Sequence, residues 1–155
     1  MKYRFIALIM LVLLILPGCG SQSRQEVETA INEAFRARAD AVFLHKDKKG
    51  LSGYFSAGAL AQSKKYLEWS PNGSWENKKD LKYRYNLRID NLRVDGKTAT
   101  AEVFETVVAS WEYIDPSLVY GHDFKKEDAW TARPHKVMLQ LNEEGRWVVE
   151  EDLMQ

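Results

Sequence analysis

From Ala99 to Trp111 the chain keeps its apolar and small side chains on one side of an extended backbone. Ala99, Ala101, Val103, Val107, Ala109 and Trp111 share that face, and Glu105 interrupts it. Period two over this length means a strand with one buried face. Such a strand cannot stand alone, so its neighbours must also be strands or must cover it. Upstream, Tyr83, Tyr85, Leu87 and Ile89 alternate, and the pattern slips by one at Asp90-Asn91 before Leu92 and Val94. A slip of parity within a strand predicts a bulge. Asp95-Gly96 between the two runs is a two-residue hairpin signal. The second strand, Lys97 to Tyr113, exceeds the usual upper length of about ten residues, so it is expected to bend. Asp115-Pro116 ends it, and a polar loop over 114–128 carries Tyr120, His122 and Asp123. Trp130 to Leu141 predicts a third strand, with Pro134 at an edge or bulge. Asn142 to Gly145 turns the chain into a fourth, Arg146 to about Asp152.

The first part of the chain has helical periodicity instead. Val27, Ile31, Ala34, Phe35, Ala41 and Val42 make one apolar stripe. Ser23-Arg24-Gln25-Glu26 matches a capping box, so a helix is expected from Arg24 to about Lys46, stopped by Lys46-Asp47-Lys48-Lys49-Gly50. Two short helices are expected between Leu51 and Leu67, with Ser56 capping the second. Ser70-Pro71-Asn72-Gly73-Ser74 reads as a turn. The expected fold class is α+β, with N-terminal helices on a curved antiparallel four-stranded sheet.

The N-terminus reads as an export segment. Lys2 and Arg4 precede an apolar run from Phe5 to Leu16. That run is shorter than the roughly 20 residues that cross a bilayer as a helix. Cys19 is the sole cysteine of 155 residues, so no internal disulfide forms. Leu16-Pro17-Gly18-Cys19 resembles the bacterial lipobox, with Pro17 departing from the small residue usual there. The resemblance implies cleavage before Cys19 and a diacylglycerol on its thiol, which places the protein at the cell membrane on the extracytoplasmic face. The alternatives are an exported chain with an unmodified Cys19 and an uncleaved anchor. The expected organisation is a signal over 1–18, a lipidated Cys19 with a short tether over 19–22, and one domain over 23–155. Without 1–18 the chain would carry 20 basic and 22 acidic side chains, a net of about −2, which argues against a nucleic-acid partner. The basic and aromatic alternation Lys82-Tyr83-Arg84-Tyr85 then suits an edge strand better than a nucleic-acid platform.

The order of a long helix, two short helices and a meander of long strands resembles the nuclear transport factor 2-like fold. Val94-Asp95-Gly96-Lys97-Thr98-Ala99 and Gly145-Arg146-Trp147-Val148-Val149 carry the likeness. The resemblance implies the cystatin-like α+β cone shared with polyketide cyclases and ketosteroid isomerase. Arg133-Pro134-His135-Lys136-Val137 followed by Gly145-Arg146-Trp147 is also similar to the region upstream of an amidase domain in some secreted bacterial proteins, whose catalytic part is absent here.

Familiar catalytic signatures are missing. A cysteine amidase is excluded because the lipid would occupy the Cys19 sulfur. There is no Gly-x-Ser-x-Gly elbow, Walker loop or dinucleotide glycine pattern. His45, His122 and His135 form no helical i, i+4 pair, and His122-Asp123 alone is a poor metal site. No metal and no cofactor is expected. If the strand faces point into a cone, Glu105, His135 and Glu151 converge near its mouth, where burial would raise a carboxylate pKa and suit acid–base work. Of the five tryptophans, Trp111 and Trp147 fit the core face, while Trp69 and Trp75 flank a turn and could cover the sheet end or meet a sugar face. The primary expectation is a membrane-anchored lipoprotein with a non-catalytic binding or accessory domain for an unidentified protein or small ligand. The alternative is a small isomerase- or dehydratase-like enzyme working in the cone pocket.

Overall fold

A computed structural model describes residues 19–44, 48–69, 76–119 and 127–155, without the side chains of 19–22, 128 and 130–132. The 1–18 export segment, His45, Trp75, Tyr120, His122 and Asp123 lie outside the described residues. Helix α1 spans Cys19–Phe43. A 3-10 turn, Lys48–Gly53, leads to α2, Ala57–Gln62, and α3, Lys64–Leu67. Four strands follow: β1, Lys78–Asp95; β2, Thr98–Tyr113; β3, Glu127–Leu141; and β4, Trp147–Met154.

The strands form one antiparallel meander in the order β1-β2-β3-β4. In β2 the inward and outward positions alternate without a break, so Glu105 is buried with its apolar neighbours. The parity slip in β1 is a register shift between Asp90 and Arg93, where Asn91 takes a φ of 52°. That left-handed residue lets Leu92 and Val94 return to the buried face. Gly96, at a φ of 56°, makes the β1–β2 turn, where a side chain would be strained. Pro134 pairs with Phe104 on β2 but lies beyond the β4 pairing, which begins at His135. Its carbonyl still accepts from Gln155 N–H at 2.9 Å, so the missing N–H falls at the end of the β3–β4 ladder. The outer edge of β4 is partly occupied: Ser56 N–H donates to the Val149 carbonyl and Val149 N–H to the Tyr54 carbonyl, each at 2.9 Å. The opposite edge, β1, is long but carries Lys78, Lys79, Lys82, Arg84 and Arg88, charges that discourage edge pairing.

All the helices pack on one face of the sheet. Val27, Ile31, Ala34 and Phe35 of α1 meet Ala99, Ala101, Val103, Val137, Leu139 and Val149 in one core cluster. A second cluster joins Ala39, Val42 and Phe43 to Tyr66, Val107, Ala109 and Trp111.

The cone is corrected by this arrangement. The sheet is open, neither closed nor strongly curled, and its edge strands β1 and β4 do not pair. The physical reason is that α1 lies where a cone would keep its cavity. Phe35 and Ile31 fill that face with fully buried side chains. The nuclear transport factor 2-like resemblance therefore fails at the level of shape, while the α+β order survives. The helix start is corrected too. Within the described residues α1 is already helical at Cys19, so Ser23 lies inside the helix rather than capping it. Gln22, Arg24, Gln25 and Glu26 are good helix formers and nothing after Gly20 breaks the run. Ser56 does cap α2, accepting from Ala59 N–H at 3.2 Å.

Ser56 also donates to the Glu150 carbonyl at 3.3 Å, tying the short α2 to β4. Ser56→Ala should therefore lower stability by about 1 kcal/mol, the usual cost of losing a cap. Urea unfolding of the two proteins checks this, and an unchanged midpoint would show that α2 needs no cap.

Candidate functional site: a buried charge cluster beside an open groove

Three strands and one helix bring ionisable side chains together in the core. Arg38 comes from α1, Glu105 from β2, His135 from β3 and Asp152 from β4. All four are buried, with Arg38 and Glu105 at 0% exposure. Position 38 falls on the apolar face of α1, one turn after Phe35 and Ala34, so helical geometry alone carries the guanidinium inside. Its charge is answered at both ends. Nη1 donates to Asp152 Oδ2 in a short contact and to Ser63 Oγ at 3.1 Å. Nη2 lies 3.6 Å from Glu105 Oε2. The guanidinium carbon also sits 4.3 Å from the Phe35 ring centre and 4.4 Å from that of Tyr66.

Of the residues singled out by sequence, Glu105 and His135 are brought together: His135 Nε2 is 3.7 Å from Glu105 Oε2. Glu151 is not part of the group. Met138 pairs with Glu151 while Leu139 pairs with Val149, so Glu150 is an extra residue in β4. The bulge reverses parity, turning Glu151 outward and Asp152 inward. Asp152 Oδ1 accepts from His135 Nδ1 at 2.7 Å. A carboxylate held ionised can only accept, which assigns the proton to Nδ1. Period-two reasoning missed Asp152 because nothing in Val148-Val149-Glu150-Glu151-Asp152 marks the bulge. Arg38 was missed as well, although its place among Phe35, Ala34 and Val42 was a readable signal.

The surroundings set the charges. For Asp152, burial pushes the pKa up, but the His135 hydrogen bond and the Arg38 charge outweigh it and hold the group at about 2. For Arg38, burial pulls the pKa down, yet Asp152 and Glu105 prevail and it rises. Glu105 goes the other way: burial raises it despite Arg38, His135 and the Tyr66 hydroxyl, which donates to Oε1 at 3.2 Å. Burial, followed by the Glu105 charge, also raises Tyr66.

On its outer side the cluster forms part of the wall of a groove of about 500 Å³. Ser63, Tyr66 and Asp152 belong to both. Gln62, Lys65, Trp69, Arg133 and Met154 complete most of the lining. Glu105 and His135 do not line it. Asp152 N–H donates to Gln62 Oε1 at 3.0 Å, which fixes the groove floor to β4. Trp69 packs on Phe43 at 5.1 Å between ring centres, so it covers the helix end. Among the described residues no group of three or more His, Cys, Asp or Glu side chains could hold a metal ion.

No family model and no curated protein matches this chain. A protein from Catenulispora acidiphila, solved at 2.5 Å, is similar in structure, with a TM-score of 0.54 and 8% identity over 86% of this chain and 94% of that one. At that identity the likeness shows a shared fold and nothing about activity. The lipoprotein resemblance finds no support in these comparisons either. The functional reading built on a cone, whether as a binding pocket or as an acid–base enzyme, is overturned because the sheet encloses no cone pocket.

The cluster has a pH signature. Asp152 binds its proton more weakly in the folded than in the unfolded chain, so its contribution is full above about pH 5 and is lost as pH falls toward 2. The shift corresponds to about 2 kcal/mol. Glu105 has the opposite sign, since its raised pKa makes stability decline as pH rises through the ordinary carboxylate range. Asp152→Asn should therefore be less stable at pH 7 by about 3–5 kcal/mol, the cost of breaking a buried pair, and should lose less between pH 5 and pH 2. Urea unfolding across that range tests both points. An acid limb as steep as in the unaltered protein would remove Asp152 as its source.

Proposed function

We propose that this domain binds a small organic anion in the groove between α2–α3 and the end of the β3–β4 pair, without transforming it. The observation that carries the reading is the chemistry of the lining. Lys65 and Arg133 supply cations, and Gln62 supplies an amide whose oxygen is engaged, leaving its NH₂ to donate. Trp69 and Met154 supply apolar surface for the body of the ligand. Asp152, the one acid among the described lining residues, is committed to Arg38, His135 and Ser63. The groove thus offers donors and apolar area together, which suits a carboxylate or sulfonate on an aromatic or aliphatic frame. Catalysis is left out of the proposal because Glu105 and His135 reach neither solvent nor the groove.

Anilinonaphthalene sulfonate is a suitable probe, being an aromatic anion that fluoresces on apolar binding. It should bind at neutral pH, and more weakly as salt rises. Replacing Lys65 and Arg133 together with Ala should weaken binding about tenfold, or about 1.4 kcal/mol. No binding, or binding indifferent to the double replacement, overturns the proposal.

Where the protein acts is a separate proposal: the extracytoplasmic face of the cell membrane, reached through a diacylglycerol on Cys19. It rests on the run Phe5 to Leu16 and the lone Cys19. Among the described residues no helix is long and apolar enough to cross a membrane. Cys19→Ala should move the protein from the membrane fraction to the soluble one, and retention would refute the attachment. The groove proposal stands or falls independently of it.

A further inference from the structure

The two edges of the sheet differ. That of β4 is taken up by Tyr54 and Ser56, on either side of the Phe55–Val149 bridge. β1 has one neighbour, β2, and no described strand pairs with its other side. Nine consecutive residues of β1, Lys82 to Asp90, keep unbroken register with β2. A register shift closes this run at each end, with Asp80 at a φ of 53° and Asn91 at a φ of 52°. Bulges of this kind terminate regular pairing. Between them lies a regular edge of about 30 Å, at roughly 3.3 Å per residue.

The side chains along that edge sort by face. Lys82, Arg84, Asn86 and Arg88 are exposed on the face away from the helices. Tyr83, Tyr85, Leu87 and Ile89 pack on the core clusters and yet stay half-buried, because no strand lies beyond them. On the helix side the Arg36 guanidinium carbon stands 5.5 Å from the Tyr83 ring centre and 5.8 Å from that of Tyr85. Asp40, also on that side, accepts from the Tyr83 hydroxyl. Two acids pair with the outer row: Glu127 lies 3.7 Å from Arg84, and Asp90 lies 3.1 Å from Arg88. Both pairs are exposed, so each holds its arginine weakly and gives way to a better-placed carboxylate.

These features select what can pair with β1. A second copy of the chain would set the same cations against this row, and like charges facing each other across a ladder destabilise it. A strand with carboxylates on its outer face turns those contacts attractive. Apolar residues on its inner face would cover the half-buried strip, and its backbone would meet the open side of β1. A segment that alternates acidic and apolar residues meets all three demands.

We propose that β1 is the docking edge for an acidic extended segment of a partner protein, which joins the sheet as a fifth strand over Lys82–Asp90. Its carboxylates face Lys82, Arg84 and Arg88, and its apolar residues lie along Leu87 and Ile89. The surface is independent of the anion groove.

The probe is a fluorescein-labelled peptide alternating glutamate and valine, matched in length to the nine-residue run. Fluorescence anisotropy at low salt should give a Kd of about 100 μM or tighter, weakening as salt rises. Amide hydrogen exchange should slow across 82–90 when it binds. Arg84→Glu with Arg88→Glu should weaken binding by about tenfold or more and let a lysine–valine peptide bind instead. Both arginines are exposed, so the fold should persist, and circular dichroism checks that. Two control peptides keep the test independent of any variant. One holds the same residues in two blocks, and the other carries proline at its centre; each should bind about tenfold more weakly or worse. Lys65→Ala with Arg133→Ala should leave peptide binding unchanged, which separates a failure here from a failure of the groove proposal. No binding overturns the proposal, as does equal binding of either control peptide or loss of binding in the groove variant. A dimer in sedimentation that the arginine reversal dissolves also overturns it, by giving the edge to a second copy.

Discussion

The rest of the structure depends on one buried cation. Arg38 has left water entirely, and stripping a guanidinium of its hydration costs several kcal/mol unless charges and hydrogen bonds replace the water. Its partners come from two strands and from the short helical segment: Glu105 on β2, Asp152 on β4 and Ser63 between α2 and α3, with His135 on β3 lying between the two acids. Helix α1 is thereby fixed along its axis as well as against the sheet. A shift of the helix along its axis would draw the guanidinium away from these acceptors. Apolar contacts tolerate small shifts of that kind, and a buried ion pair does not.

The strands had to be tuned to meet it. Regular alternation delivers Glu105 from β2 and His135 from β3 to the helix-facing side. β4 would have delivered Glu151 by the same rule. The extra residue at Glu150 hands that place to Asp152, whose shorter side chain accepts from His135 at 2.7 Å. The contact on the Glu105 side stays longer, at 3.6 and 3.7 Å. That asymmetry explains the opposite pKa directions of the two acids. Asp152 has hydrogen bonds that favour its charge, whereas Glu105 has proximity to charge but only one hydrogen bond, from Tyr66, to set against complete burial.

Much of the architecture was legible in the chain and the shape was not. The alternation in β1 and β2, the slip at Asp90-Asn91, the Asp95-Gly96 turn and the Ser56 cap are local, and local patterns dictate them. Whether a four-stranded sheet curls into a cone or stays open depends on what fills its inner face. Here Phe35, Ile31 and Arg38 do so from a helix far away in sequence, which no strand pattern records. The same limit applied to the site. Glu105 and His135 stood out as polar residues on apolar faces, while Asp152 was hidden by a bulge with no residue signature, and Arg38 was masked by the habit of reading a basic residue on a helix as solvated.

The cluster also decides what its neighbouring groove can accept. Asp152 forms part of the groove wall, and a lone carboxylate there would repel an anion. Arg38 sits directly behind it, so the acid presents a neutralised pair to the groove, whose lining also holds Lys65 and Arg133. A buried cation that fixes helix register thus also sets the sign of the surface above it. Moving Arg38 would change both together, because Asp152 would lose its counter-charge and the groove its bias toward anions.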